Sequence, residues 1–167
     1  NASALASHVV PNRRLNETRL RVPRSRNATP RKKKWGLKRR TLVPDGFVFA
    51  VKASRFITHI KRLHDVTDAW KTFIDNASVL GPHLGPILFQ FPPSFRVDRD
   101  RLTGFLEMVG RRVPQSSPLR LVCEFRHDSW FTEETYRLLH EHGVALCTAD
   151  GAKYARRDVI TADFAYI

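Results

Sequence analysis

Four short apolar runs in this chain each lead to a side chain able to do chemistry. Phe47-Val48-Phe49-Ala50-Val51 ends in Lys52, and the run from Pro86 ends at Gln90. Leu121-Val122-Cys123 ends in Glu124, with Arg126 and His127 just beyond, and Val144-Ala145-Leu146-Cys147 leads through Thr148 and Ala149 to Asp150. Lys52 suits a cationic anchor for phosphate or carboxylate, or a nucleophilic amine where its pKa is lowered. Glu124 and Asp150 can divide general acid and base work when their surroundings set their pKa values apart. His127 can shuttle a proton, and Gln90 can hold a substrate hydroxyl or amide. Lys52, Glu124, His127 and Asp150 are therefore the candidate catalytic residues. The structural alternative is a polar network whose members serve only to satisfy one another.

The segment Ser54-Arg55-Phe56-Ile57-Thr58-His59-Ile60-Lys61-Arg62 follows directly on Lys52. Arg55, His59 and Arg62 interleave with Phe56 and Ile57, a composition suited to holding an anion from an anchored backbone. The same residues would equally serve as carbonyl caps on a barrel rim. Arg55, His59, Arg62, Gln90 and Arg126 make up the candidate ligand-binding set. No HxxxH spacing and no metal-type cysteine spacing occurs, so neither a metal set nor a cofactor is expected.

Positioning these residues requires alternating strands and helices. Val66, Trp70, Phe73, Ile74, Ala77 and Leu80 recur at helical spacing, with Asp65 or Thr67 available as N-cap and Gly81-Pro82 as the stop. Leu102, Phe105, Leu106 and Val109 trace a second helix opened by Asp98 or Asp100. Thr132 caps a third, carrying Tyr136, Leu138 and Leu139, and Gly143 occupies its C′ position. Phe164-Ala165-Tyr166-Ile167 opens a fifth strand. Near-continuous apolar strands alternating with helices predict a parallel sheet buried on both faces. A closed barrel and an open doubly wound sheet both fit that order. No Gly-rich phosphate loop follows any strand, which favours the barrel. The expected fold is α/β, a partial TIM-barrel-like (β/α) repeat of about five parallel strands, whose chemistry sits at the carboxyl ends of the strands.

The chain has 167 residues and a net charge of +13. That charge is unevenly placed. Residues 1–44 hold 13 of the 29 Lys and Arg residues against one acid, Glu17, while residues 45–167 are nearly balanced. The first segment lacks a sustained helical or strand period and is broken by Pro11, Pro23 and Pro30, so it reads as a disordered or non-native basic leader. The domain is expected over residues 45–167. Cys123 and Cys147 each lie in an apolar run and read as buried free thiols in a reducing, cytoplasmic setting. No apolar run approaches the roughly 18–20 residues of a membrane span, so no membrane partner is expected.

The strand-end motifs also resemble a known family. Phe47-Val48-Phe49-Ala50-Val51-Lys52 followed by Ser54-Arg55-Phe56-Ile57-Thr58-His59, the stretch Leu84 to Phe95, Glu124-Phe125-Arg126-His127-Asp128-Ser129-Trp130, Gly143 to Cys147, and Thr161 to Ile167 are similar to the YecE-like family (domain of unknown function 72). The resemblance covers residues 45–167. It implies a TIM-barrel-like fold about twice as long as the part present, in an intracellular protein without an established biochemical role. It also implies two further strands before Asp45, which residues 1–44 do not match, so the chain is expected to be a fragment cut at both sides.

Three functional readings follow. The first is a barrel protein, with enzymatic activity open, that takes a small anionic or hydroxylated ligand at the strand mouth. The second is a nucleic-acid-binding protein, through the basic leader or a barrel like the metal-dependent endonucleases. The third is a fragment with no function of its own.

Overall fold

The computed structural model describes residues 43, 44, 46–110, 119–149 and 157–167. Four strands, β1 (Phe49–Lys52), β2 (Leu84–Gln90), β3 (Leu121–Glu124) and β4 (Ala145–Leu146), pair side by side in chain order. Every pairing is parallel. Three helices cross over between them, α1 (Thr67–Ala77), α2 (Arg99–Gly110) and α3 (Glu133–Glu141). The result is the α/β, TIM-barrel-like repeat expected from the alternation. The expected fifth strand is represented by a parallel bridge from Cys147 to Tyr166, closed by the Thr148 N–H donating to the Tyr166 carbonyl at 2.9 Å.

Strand alternation divides the sheet residues into two sets. Val51, Ile87, Phe89, Phe91, Leu121, Cys123, Phe125 and Leu146 face the helices and pack with Trp70, Phe73, Leu102, Phe105 and Leu139 into the main core. Leu88, Val122 and Ala145 form a smaller cluster on the opposite, inner face, against Cys147, Phe164 and Tyr166. Trp70 stands at the centre of the main core, with its ring centroid 5.6 Å from Phe73, 5.8 Å from Phe89 and 6.3 Å from Phe105. Each such fully buried side chain contributes on the order of 1.5–3 kcal/mol through removal from water.

The helix ends follow local chemistry, with one correction. Thr132 caps α3, its hydroxyl accepting the Thr135 N–H at 3.3 Å. At the other end Gly143 adopts φ +61°, its N–H bonding the His140 carbonyl while Val144 N–H bonds that of Leu139. This is a Schellman stop, which an L side chain at the glycine would strain. Asp98, not Asp100, opens α2, accepting the Arg101 N–H at 3.0 Å. Neither Asp65 nor Thr67 caps α1: Val66 holds the N-cap position with no side-chain bond. The cause is the approach of the chain. Arg62, Leu63 and Asp65 all take positive φ, and the Asp65 carboxylate turns to His64 at 3.3 Å. β1 also carries an irregularity between Phe49 and Val51, where its pairing with β2 shifts register.

Candidate polar mouth

Register brings the strand ends together. Lys52 is the last residue of β1, Gln90 of β2 and Glu124 of β3. Gln90 and Glu124 are directly paired, and Lys52 pairs with Leu88, two residues before Gln90. By strand parity Lys52, Leu88, Gln90, Val122 and Glu124 share the inner face. The three polar side chains then join in a relay. Lys52 Nζ donates to Gln90 Oε1 at 2.6 Å, and Gln90 Nε2 donates to Glu124 Oε1 and Oε2 at 2.9 and 2.7 Å. Arg126 Nε closes the row on Glu124 Oε1 at 2.9 Å, with the carboxylate side chain only 10% exposed.

A second group of cations rises from the segment after β1. Phe56–Ile60 form a single π-helical turn, with Lys61 N–H donating to the Phe56 carbonyl at 2.8 Å. His59 lies in this turn, its Nδ1 2.8 Å from the buried Thr58 hydroxyl, which in turn reaches the Ser54 carbonyl at 3.4 Å. Its pKa is lowered, first by burial and then by the positive charges of Arg55, Lys52, Arg126 and Arg62. Those four charges belong to both groups of cations. Arg62 reaches across to the loop after β2, donating to Ser94 Oγ at 3.2 Å.

His127 takes a local role. Its Nδ1 accepts the Ser129 N–H at 3.1 Å and caps the 3-10 turn Asp128–Trp130. The bond keeps Nδ1 as an acceptor, so the neutral ring carries its proton on Nε2. Beneath this turn Trp130 stacks on Phe125 with centroids 4.4 Å apart, and its indole N–H donates to the Phe95 carbonyl at 2.7 Å. The aromatic stack thus fixes the backbone between Glu124 and Arg126 from the core side. Asp150 lies outside the described residues.

Two mouth residues were not singled out from the sequence. Ser94 follows the Pro92-Pro93 break, where a turn serine carries no distinctive signal. Cys147, read as a buried core thiol, is half-buried beside the relay instead. Burial and then the Glu124 charge push its thiol up to about 12, with Arg126 opposing. Its inner-face parity, one position past β4, was the available signal. Among the described residues, no three His, Cys, Asp or Glu side chains group as a metal site would require, and no helix is long and apolar enough to cross a membrane.

Comparison with known proteins gives a family without a chemistry. The family model described as protein of unknown function DUF72 matches residues 29–167, beginning inside the basic segment. No curated protein matches. A solved DUF72 family protein from Thermotoga maritima MSB8 is similar at 27% identity and TM-score 0.57, over 85% of this chain and 55% of that one. A second, from Enterococcus faecalis V583, shares the fold at 16% identity and TM-score 0.63, over 78% of this chain and 51% of that one. The chain thus spans about half the length of the solved structures it matches.

Proposed function

The chain belongs to the DUF72 family of proteins of unknown function, and on that premise we propose that its strand mouth binds a small anionic or hydroxylated ligand. One observation carries the reading: the unbroken relay Lys52–Gln90–Glu124–Arg126 across three strand ends. Parallel βα repeats collect ligands at this end of the sheet, because all the βα loops gather there. In this reading Lys52 and Arg126 attract the ligand's charge, and Gln90 and Glu124 orient its hydroxyls. Glu124 serves as base, with Asp150 as the second carboxylate. In a closed barrel the inner face of β1 to β4 would line the lumen, and the relay would form part of its ceiling.

A panel of phosphorylated, carboxylated and neutral polyhydroxylated compounds, followed by ligand-detected NMR on the full chain, tests the reading. Binding that disappears in Lys52→Met and Gln90→Leu but persists in Arg137→Ala on the exposed side of α3 is the expected result. Binding that ignores both mouth variants, or no binding across the panel, overturns it. A compound that binds and is consumed, with turnover lost in Asp150→Asn, would add an enzymatic role.

A further inference from the structure

Resting on the mouth reading above, we infer that the π-helical turn after β1 is a subsite for a tetrahedral dianion, a phosphate or sulfate group, gripped by Arg55, His59 and Arg62. Charge is the first argument. The groups acting on His59 are all cationic: Arg55 at the N-cap of the π turn, Lys52 at the end of β1, Arg126 after β3 and Arg62 in the loop after the turn. Glu124 is the carboxylate among the described mouth residues, and it is engaged by Gln90 and Arg126. A carboxylate ligand would satisfy one guanidinium. A phosphate monoester brings a charge of about −1.5 to −2 and three acceptor oxygens, which suits several forked donors at once.

Placement is the second argument. Arg55 is the N-cap of the π turn, His59 its fourth residue, and Arg62 lies two residues past its end, so one short segment carries all three. Arg62 sits at φ +47°, a conformation uncommon for a non-glycine residue, and its guanidinium is held by Ser94 from the neighbouring loop. The buried Thr58 hydroxyl holds His59 by Nδ1, which leaves Nε2 as the ring atom for the ligand. A bound dianion offsets the neighbouring positive charge and stabilises the imidazolium, so the ligand and one proton bind together. The sign follows. Affinity is greatest below the free His59 pKa and is lost as pH rises through the higher, ligand-bound value.

The experiment titrates the full chain with inorganic sulfate, which keeps its charge across the range, and with acetate as a control. Histidine ring NMR supplies the second readout, with the His59 signal assigned through His59→Gln. Saturating sulfate should move the His59 midpoint upward while the exposed His64, His140 and His142 stay in place. Arg55→Ala and Arg62→Asn should each weaken sulfate by about tenfold or more, as loss of a charged hydrogen-bond donor does. Asparagine tolerates the left-handed backbone, so the Arg62 variant removes charge without adding strain. Sulfate binding no tighter than acetate, or an unmoved His59 midpoint, overturns the inference. If sulfate fails while a panel compound still binds through Lys52, the mouth reading stands and the dianion subsite falls. If nothing binds through Lys52, both fall.

Discussion

Gln90 presents its amide nitrogen to both carboxylate oxygens of Glu124, at 2.9 and 2.7 Å, while its carbonyl oxygen faces Lys52 at 2.6 Å. The amide has only this orientation available. An ammonium can only donate and a carboxylate can only accept, so Gln90 must turn its oxygen to one and its nitrogen to the other. The relay is therefore polar from end to end and links a cation to an anion across β2.

Replacing Gln90 by Leu removes both ends of this bridge, taking one acceptor from Lys52 and leaving Glu124 with Arg126 but without the amide donor. The expected cost is about 1–3 kcal/mol, the range for stranding partly buried charged partners. Urea unfolding of the full chain measures it. A cost below a few tenths of a kcal/mol would mean that Lys52 and Glu124 are solvated without Gln90.

Cys147 reports on the same carboxylate. Its thiol is raised to about 12 by burial and by Glu124, with Arg126 pulling the other way. Only the thiolate reacts with iodoacetamide, so labelling near pH 8 should be slow. Glu124→Gln should speed it, and Arg126→Ala should slow it further. Mass-spectrometric rates read at Cys147 decide the matter, because the fully buried Cys123 is also raised. Changes of the same sign in both variants would show that unfolding, not the local field, controls access.

How far the sequence reached depended on whether a residue's role came from periodicity or from its neighbours. Lys52, Gln90 and Glu124 were legible because each closes an apolar run, and parallel register then makes their convergence unavoidable. The α3 boundaries were legible because Thr132 and Gly143 have strong local preferences. The start of α1 was not, since left-handed φ at Arg62 and Leu63 contradicts what those residue types favour. The capping bond of His127 to Ser129 was not legible, because an imidazole as a turn cap has no distinct sequence pattern. The π turn was equally hidden: its five residues read as a loop until Thr58 packs and holds His59.

Gly85 lies near the start of β2, packed against the backbone at the start of β1. A Cβ there would stand 2.9 Å from the Phe49 carbonyl oxygen and 3.2 Å from Val48 Cβ. The first contact is with backbone, so relief requires the strands to part. Gly85→Ala should cost about 1–3 kcal/mol, the range for overpacking. Because Gly85 is at the opposite end of β2 from Gln90, ligand binding by the folded fraction should be kept. Loss of binding without loss of stability would contradict this separation.

The two indoles at the centres of the core predict opposite tolerance to the same substitution. Trp70 and Trp130 are both fully buried. Trp130 donates its N–H to the Phe95 carbonyl at 2.7 Å, whereas the Trp70 N–H finds no partner among the described residues. Phe at 130 therefore loses volume, a buried hydrogen bond and the satisfaction of a carbonyl, each unfavourable. Phe at 70 loses the same volume but also removes a donor whose burial is uncompensated. Trp130→Phe should cost more than Trp70→Phe by about 1–2 kcal/mol, on the scale of one buried hydrogen bond. Trp130→Phe should also weaken ligand binding, since its ring supports Phe125 between Glu124 and Arg126. Parallel urea unfolding and ligand titrations provide the comparison. Equal stability costs would show that volume alone governs both sites, and intact binding in Trp130→Phe would detach the mouth from the stack beneath it.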